Sequence, residues 1–566
     1  MLSIRRLAWI VIITSCISAA FLMINFHKSS YEEVKVINEQ FQMDEIVEAE
    51  ETEETNSSLE DRFILITSET DNRVYENISE LFKDWKMPCR TLSRVETFDE
   101  TKESIYIFCE DEIIKTADLE QLASYIEQGG IVIFANGIAE GNTETYLNPV
   151  LGIISKSNKL PCSQFTLAEE FLPYQEEKMT YDGYNASTWI QLNEKAKIYV
   201  SDTEKKEAVI YSYPYGKGKS LVINGTFMED INCQGMLAGL LSNEIQGFTY
   251  PILNTKLIYL DNYPVVTYAD DEICLRLYGR KTDDFVENVI WPVFQGIAVQ
   301  NEIKYTSSVL TYGMDNTVFT EMEDSLFYTM GKSALMYEGE LVEAADFSQG
   351  GSVVENQFFK DKFKRFFPEY QIHSLAVLSG KYTDYNSLNQ EIAVVRGYME
   401  GDEENMTLCK PQYQEGIYYF PVVTDGLELE QGNMFRIAMQ TAARGILSQR
   451  IDVNTLIYDT DENASWDHIK ILLSDYQKDV ISPLFWMHAV TLSETANNIN
   501  GYEKLKYDTD VSADGIRITC STYRPGQAFI LHSEKAIRDA EGANIEKINT
   551  NYYLVEITGE HAELRY

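Results

Sequence analysis

The chain has 566 residues, 44% of them hydrophobic, which is enough to bury the cores of two to four domains. Acidic residues outnumber basic ones by 89 to 47, so the net charge is −42 at pH 7. This charge argues against nucleic acid as a partner, because phosphate binding requires clustered lysine and arginine. A neutral or cationic polymer, such as an amino sugar, fits the charge better, although acidity alone also serves solubility.

The first 30 residues have the pattern of a membrane anchor. Arg5 and Arg6 precede an uncharged apolar run from Leu7 to Phe26, which matches the ~20 residues that span a bilayer. The two arginines place the N-terminus in the cytoplasm and the bulk of the chain outside. Cys16 ends a stretch similar to a lipoprotein cleavage box, but the apolar run continues beyond it. We therefore expect a single-pass membrane protein, with a lipoprotein as the alternative.

The remaining chain divides into a stalk and three folded parts. The acidic residues 31–60 predict a disordered stalk. Short apolar strands alternate with amphipathic helices over residues 61–250, which indicates an α/β domain. A longer alternation over residues 251–508 predicts a distorted (β/α) barrel, and residues 509–566 predict a small β-rich unit. The predicted fold class is α/β, with an N-terminal transmembrane helix.

The α/β domain contains two informative stretches. One is the helix ADLEQLASYIEQGG, which ends at Gly129 and Gly130 ahead of a strand, and the other is YGKGKSLVINGT. The domain resembles the class I glutamine-amidotransferase-like (flavodoxin-like) fold, whose working members use a cysteine nucleophile and a histidine. Here Cys109 is followed by Glu110 and Asp111, which raise the pKa of a thiol, and residues 61–250 contain no histidine. We expect this domain to be non-catalytic.

The barrel segment contains LIYLDNYP, YEGELVEAAD, NTLIYDTDEN and PLFWMHAVTLSET, in that order. This layout resembles the polysaccharide deacetylase superfamily, the barrels of carbohydrate esterase family 4. It is similar in particular to bacterial proteins that pair an amidotransferase-like domain with such a barrel, some of which resemble components of Pel-type exopolysaccharide systems. The resemblance implies a polysaccharide or cell-envelope glycan, exopolysaccharide-system proteins and the membrane as partners.

The deacetylase resemblance also implies a metal-assisted hydrolysis of N-acetyl groups. One Asp of an adjacent pair acts as base, the second Asp and two His hold the metal, and a further His protonates the leaving amine. In this chain the pair is Asp261-Asn262, and the loop GELVEAADFSQGG contains no histidine. Because an amide oxygen is a poor substitute for a carboxylate ligand, we expect no metal site and no cofactor. A divalent metal is expected only if deacetylase activity persists.

The candidate catalytic residues are Asp261 and His488. Asp261 ends an apolar strand, where a barrel enzyme keeps a catalytic acid and where other proteins keep a turn-capping Asp. His488, in FWMHAVT, matches the family's leaving-group acid, and a buried histidine beside Trp486 is the alternative.

The candidate substrate-binding residues are mostly acidic: Asp270, Asp271, Asp459, Asp461 and Trp486. The first two also fit the start of a helix. The second two fit either a calcium site or a solvated loop. Trp291, Trp466 and Trp486 fit either stacking on sugar rings or core packing.

The missing ligands favour a deacetylase-like pseudoenzyme that binds or scaffolds an exopolysaccharide or cell-envelope glycan. One alternative is an active polysaccharide deacetylase or carbohydrate hydrolase with a rearranged carboxylate site. The other is a surface module that binds proteins, with no glycan role.

Overall fold

A computed structural model gives the fold for most of the chain beyond residue 45. It describes residues 46–48, 62–69, 71–139, 146–264, 270–313, 324–346, 354–355, 357–368, 370–379, 392–397, 410–414, 416–429, 432–458 and 466–566.

The predicted transmembrane helix is the part of the fold prediction that is wrong. Within the described ranges, no helix is both long and apolar enough to cross a membrane. The longest unbroken helical run, residues 282–301, carries Asp283, Asp284 and Glu287, and such charges are expensive in a bilayer. The predicted anchor at Leu7–Phe26 lies outside the described residues. The structure supports an α/β chain with a curled sheet, and it does not support the single-pass membrane localisation.

Two β-sheets share one core in the C-terminal part. The first contains β1 (Val47–Glu48), in the segment predicted as a stalk, and four strands from the C-terminal region, and the second contains one strand from the middle of the chain and three from the C-terminal region. Side chains from both sheets, including Ile518, Phe529 and Val555, pack together, so the sheets form a sandwich.

The nine-stranded sheet of the α/β part has nearest-neighbour order β3-β2-β4-β5-β12-β11-β10-β7-β8. Its strands are β2 (Phe63–Ile66), β3 (Cys89–Leu92), β4 (Ile105–Phe108), β5 (Ile131–Phe134), β7 (Gln164–Leu167), β8 (Lys178–Thr180), β10 (Lys197–Asp202), β11 (Ala208–Tyr215) and β12 (Gly218–Ile223). The first five in the sheet order are parallel. Their central strands are continuous apolar runs, as expected for strands covered on both faces. A separate ribbon pairs β6 (Ile153–Pro161) with β9 (Ala186–Leu192).

A ten-stranded, mostly parallel sheet follows and curls on itself. Its strands are β14 (Thr255–Asp261), β15 (Tyr305–Gly313), β16 (Glu340–Asp346), β17 (Val354–Glu355), β18 (Ser374–Ser379), β19 (Val394–Arg396), β20 (Gln412–Gln414), β21 (Ile417–Phe420), β22 (Thr424–Asp425) and β23 (Ile446–Asp452). Parallel pairs run β21-β19-β18-β16-β15-β14-β23-β22. Since β21 and β22 lie in one short segment, 417–425, that segment joins the two ends of the sheet.

The sandwich strands not yet bounded are β13 (Thr249–Ile252), β24 (Lys506–Val511), β25 (Gly515–Tyr523), β26 (Ala528–His532), β27 (Asp539–Glu541), β28 (Ala543–Lys547), β29 (Tyr552–Ile557) and β30 (His561–Arg565). β1 pairs with β25, and β13 pairs with β26. Only two residues separate β13 from β14. The chain therefore passes directly from the sandwich into the curled sheet.

The described α-helices are α1 (Arg73–Asp84), α2 (Leu119–Glu127), α3 (Gln234–Glu244), α4 (Asp271–Tyr278), α5 (Thr282–Phe285), α6 (Trp291–Asn301), α7 (Asp324–Met336), α8 (Gln357–Phe366), α9 (Asn433–Arg444), α10 (Val453–Ile457), α11 (Trp466–Tyr476) and α12 (Leu492–Lys504). Short 3₁₀ turns lie at Ile113–Lys115, Phe227–Glu229 and Ile231–Cys233. π-helical turns lie at Val286–Ile290 and Gln477–Ile481.

Residues 358–371 belong to a compact unit distinct from the rest of the described chain. Its rings contact one another: the Phe363 centroid lies 5.7 Å from Phe367 and 5.9 Å from Tyr370.

A buried ion pair joins the end of α1 to the end of α9. The Arg444 Nε donates to Asp84 Oδ2 at 3.0 Å, and Lys410 Nζ lies 2.8 Å from Asp84 Oδ1. Trp85, next to Asp84, donates its indole N–H to the Ala443 carbonyl at 2.9 Å. The α/β part is therefore fixed to the curled-sheet part by matched charges as well as by apolar packing.

We predict that Asp84→Ala lowers the free energy of unfolding by about 3–5 kcal/mol, because it leaves a buried guanidinium without its anion. The measurement is urea unfolding followed by circular dichroism. Asp284→Ala is the matched control, because its pair with Arg280 is solvent-exposed and contributes little. Equal urea midpoints for the two variants would contradict the prediction.

Candidate functional site

Asp261 is the last residue of β14, a strand whose seven residues are all buried. Its register partners are Ser308 on β15 and Asp452 on β23, and all three strands run parallel. Because parallel strands end at the same edge of a sheet, their carboxyl-terminal side chains converge there. The sheet therefore places Asp261 where a barrel enzyme would keep a functional acid.

The Asp261 carboxylate is fully occupied by side chains of the same sheet. Arg396, at the end of β19, donates from Nη1 to Oδ1 at 2.7 Å and from Nη2 to Oδ2 at 2.9 Å. Arg450 on β23 donates from Nε to Oδ2 at 2.7 Å, and Ser308 Oγ donates to Oδ1 at 2.8 Å. Asp261 is 0% exposed and Arg396 is 1% exposed. We call Asp261, Ser308, Arg396 and Arg450 the Asp261 cluster.

Two cations stabilise the ionised form of Asp261. Burial opposes ionisation, but the guanidinium groups of Arg396 and Arg450 outweigh it and hold the pKa of the carboxyl below its usual value. The Arg396 guanidinium also lies 4.6 Å from the ring centroid of Tyr259, which adds a cation–π contact. A carboxylate held in this way is a poor general base, since accepting a proton would break its charge-assisted hydrogen bonds.

Further polar contacts tie the cluster and the turn after β14 to neighbouring strands. Arg450 also donates from Nη1 to Asp425 Oδ2 at 2.9 Å, and the Asp425 side chain is 60% exposed. Asn262 donates from Nδ2 to Asp452 Oδ1 at 2.9 Å, and its backbone is left-handed at φ 58°. Asn tolerates that conformation better than most residues. Asn262 therefore serves the turn and fixes Asp452, whose pKa is raised mainly by burial.

The residues around Asp261 do not fit a divalent cation. Two guanidinium groups already lie against the carboxylate, and a metal ion there would be repelled by both. Among the described residues, no group of three or more His, Cys, Asp or Glu is arranged to hold a metal. The sequence expected to supply histidines, residues 339–351, is described only as far as Asp346, the end of β16. Glu340, at the other end of that strand, accepts from Ser374 Oγ and from the Ser493 amide.

His488 lies at the other end of β14 from Asp261. Its carbonyl accepts from the amide of Lys256, the second residue of the strand, at 2.8 Å. Asp261 lies five residue steps further along the strand than Lys256, a span of about 16 Å. The His488 Nε2 lies 2.8 Å from Glu556 Oε1, and this hydrogen bond raises the pKa of the imidazole. The two predicted catalytic residues are therefore not brought together.

Of the other predicted site residues, two start a helix. Asp270 caps α4 by accepting from the Glu272 amide at 2.7 Å, and Asp271 accepts from the Thr282 amide at 3.0 Å. Asp459 and Asp461 lie outside the described residues.

The three tryptophans considered for sugar stacking are all buried. Trp291 is 4% exposed, Trp466 is 6% exposed and Trp486 is 1% exposed. Core packing accounts for the position of each ring.

The residues that sequence reasoning missed are Arg396 and Arg450. Each lies at or near the end of a buried strand, in IAVVRG and LSQRID. A charged side chain in such a place signals a buried partner. The sequence did not reveal that both arginines bond to the same carboxylate, Asp261, because the contact depends on the order of strands in the sheet.

The cysteine at the end of β4 is unsuited to catalysis. Cys109 is 0% exposed, and burial, followed by the nearby Glu110 carboxylate, raises the pKa of its thiol far above the usual value. Glu110 accepts from the Ser68 hydroxyl at 2.9 Å and from the Glu69 amide at 3.3 Å. The Glu110 carboxylate beside Cys109 is therefore already held by internal hydrogen bonds.

Comparison with known proteins gives one family match. The family described as an uncharacterised protein conserved in bacteria (DUF2194) matches residues 92–345, which is less than half of the chain. This segment begins in β3 and ends in β16, so it contains β14 and Asp261 but neither Arg396 nor Arg450. No curated protein matches the chain.

Solved structures show a weak similarity to glycoside hydrolases. An exo-β-1,4-mannosidase from Opitutaceae bacterium strain TAV5 has a TM-score of 0.23 and 13% identity, over 30% of this chain and 32% of the mannosidase. A β-galactosidase from Bacillus circulans sp. alkalophilus has a TM-score of 0.23 and 13% identity, over 32% and 31%. A β-galactosidase from Rahnella sp. R3 has a TM-score of 0.24 and 13% identity, over 33% and 31%. This chain spans about a third of the length of each of these enzymes.

We predict that Asp261→Ala lowers the free energy of unfolding by about 3–5 kcal/mol, because it leaves two guanidinium groups without their shared anion. Urea unfolding measures the change. Asp425→Ala is the control: it removes an exposed partner of the same arginine and leaves the Arg450–Asp261 contact in place. A small effect of Asp261→Ala, equal to that of the control, would show that the cluster is not a buried charge network.

The lowered pKa of Asp261 also predicts a pH dependence of stability. The unfolded carboxyl titrates near pH ~3.9, so the stabilisation is complete above that pH and is lost as pH falls through the lower folded pKa. The thermal midpoints of the wild type and Asp261→Asn should therefore differ by a constant amount between pH 5 and 8 and converge below about pH 4. A difference that grows as the solution is acidified would contradict this assignment.

Proposed function

We propose that this chain binds a neutral or amino-sugar polysaccharide without hydrolysing it. In this proposal the curled sheet is a deacetylase-like or glycosidase-like scaffold whose strand-end acid has become structural. One observation carries the proposal: the Asp261 carboxylate is buried and bonded to two arginines and a serine. A general base must be within reach of substrate and able to take a proton, and Asp261 meets neither requirement.

The charge of the chain supports the proposed choice of polymer. At −42, the protein repels polyanions at long range and attracts a polymer that carries free amino groups. A neutral polymer is compatible with the same surface, because sugar hydroxyl groups bind through planar polar side chains at short range. The choice between the two rests on binding measurements with polymers of different acetylation.

The proposed binding residues are Arg450, the partly exposed member of the Asp261 cluster, and its exposed partner Asp425. The Asp425 side chain is 60% exposed and the Arg450 side chain is 25% exposed. Their 2.9 Å contact presents a carboxylate and a guanidinium side by side at the carboxyl end of the sheet. Each group can bond two neighbouring hydroxyls of one sugar ring.

We predict that the chain releases no acetate from partly acetylated amino-sugar polymers but binds them. Binding is measured by calorimetry and acetate by a coupled assay, on the full chain. Asp425→Ala should weaken binding by about tenfold, since it removes one direct contact worth about 1.4 kcal/mol. Asp539→Ala is the control with the same charge change, because its carboxylate pairs with Arg565 on the sandwich.

Two outcomes would overturn the proposal. Acetate release that is lost in Asp425→Ala would mean that an active hydrolase site has been rebuilt from other groups. No binding of any acetylated, partly acetylated or deacetylated polymer would mean that the chain is not a glycan-binding protein.

A further inference from the structure

A pocket away from the Asp261 cluster is lined by more lysines than acidic residues, although the protein as a whole is acidic. It has a volume of about 560 Å³ and lies between the nine-stranded sheet and the sandwich. Four lysines line it: Lys195, Lys197, Lys219 and Lys535. They come from the turn before β10, from β10, from β12 and from the loop after β26. Two carboxylates also line the pocket, so its formal charge is about +2 against −42 for the whole chain.

One of the two carboxylates is already neutralised. Glu244, at the end of α3, has its Oε2 2.7 Å from Lys219 Nζ, and its Oε1 accepts from the Tyr199 hydroxyl at 2.5 Å. The other carboxylate, Glu534, is exposed. The four lysines of the pocket are therefore not balanced by its own acids.

The other three lysines form no ion pair with a carboxylate anywhere in the described part of the chain. Lys197 Nζ lies 4.7 Å from the ring centroid of Tyr199. Lys535 Nζ lies 4.4 Å from the ring centroid of Tyr566 and donates to the Ala513 carbonyl at 3.0 Å. These contacts orient the two side chains without neutralising their charge. Each ammonium group keeps N–H donors for a ligand.

A buried histidine, His532, also lines the pocket, with its ring centroid 4.8 Å from that of Tyr552. His532 is 4% exposed, and its Nε2 is buried with no hydrogen-bond partner among the described residues. Burial and the nearby Lys197 ammonium lower the pKa of the imidazole to about 4. The imidazole is therefore neutral at pH 7, and the positive charge of the pocket comes from its lysines alone.

We propose that this pocket binds a doubly charged oxyanion, such as the phosphate of a phosphate monoester. Phosphate carries a charge of about −1.5 to −2 at pH 7, which matches the pocket. A lysine ammonium group binds phosphate as a point charge on a flexible side chain. Lysines therefore suit an open pocket better than arginines, whose guanidinium groups are rigid and planar. The volume leaves room for a saccharide attached to the phosphate. This site is independent of the proposed polysaccharide binding at the Asp261 cluster.

The experiment measures binding of inorganic phosphate and of glucose 1-phosphate to the full chain, by calorimetry and by the shift in thermal midpoint at constant ionic strength. Glucose and acetate are the neutral and singly charged comparisons. Both phosphates should raise the midpoint, and glucose should leave it unchanged. Binding of glucose 1-phosphate much more tightly than phosphate would identify a phosphorylated sugar as the source of the anion. Equal binding would identify the free anion.

The test variant is Lys195→Gln combined with Lys197→Gln and Lys535→Gln, all at exposed positions. The matched control combines Lys115→Gln, Lys470→Gln and Lys478→Gln, which remove the same charge from lysines paired with nearby acids. Phosphate affinity should fall by about tenfold or more in the test variant and remain within a factor of about two in the control. Equal losses in both variants, or no phosphate binding by the wild type up to about 10 mM, would overturn the proposal.

Discussion

The described part of the curled sheet is organised around one buried carboxylate. A charge inside a protein is stable only when it is paired and its hydrogen-bonding capacity is filled. Asp261 meets this requirement through arginines on β19 and β23 and a serine on β15. Because these strands are far apart in sequence, the cluster can form only when the sheet has its native order. The charge that an enzyme would expose to substrate here fixes the architecture instead.

The same principle joins the larger parts of the molecule. Asp84 lies between Arg444 and Lys410, and the neighbouring Trp85 ring packs 4.6 Å from the Tyr250 ring. The Tyr250 hydroxyl reaches the Ala442 carbonyl at 2.6 Å. Helices α3 and α9 also approach closely, since a Cβ at Gly235 would lie 2.6 Å from the Met439 carbonyl oxygen. Charge pairing thus allows polar groups to be buried where the parts meet. The glycine in α3 allows the two helices to approach closely.

Sequence periodicity predicted the alternation of strands and helices, because buried parallel strands are continuous apolar runs bounded by turns. The strand LIYLD lies where the apolar run placed it and ends at Asp261. The position of Asp261 at a strand end was likewise predictable, whereas its two arginine partners were not, since strand order is a property of the whole fold. The predicted domain boundaries stay predictions.

The position of His488 was not predictable from the sequence. Its place in the sequence resembled that of a catalytic acid, but resemblance of layout does not specify which end of a sheet a segment reaches. The pairing of Lys256 with the segment around Ala489 places it at the amino-terminal end of β14. The predicted anchor, residues 7–26, lies outside the described residues, and no described helix is both long and apolar enough to cross a membrane.

The sandwich has a consequence for the order in which the molecule assembles. Its strands β1 and β13 come from early and middle parts of the chain, yet both pair with strands in the C-terminal region. Synthesis proceeds from the N-terminus, so these two strands emerge long before β25 and β26. They remain unpaired while the intervening sheets form. Closing such long loops is entropically costly and slow compared with local pairing. The unpaired edge of β13, next to the start of β14, is therefore the surface that most needs protection until the last strands are made.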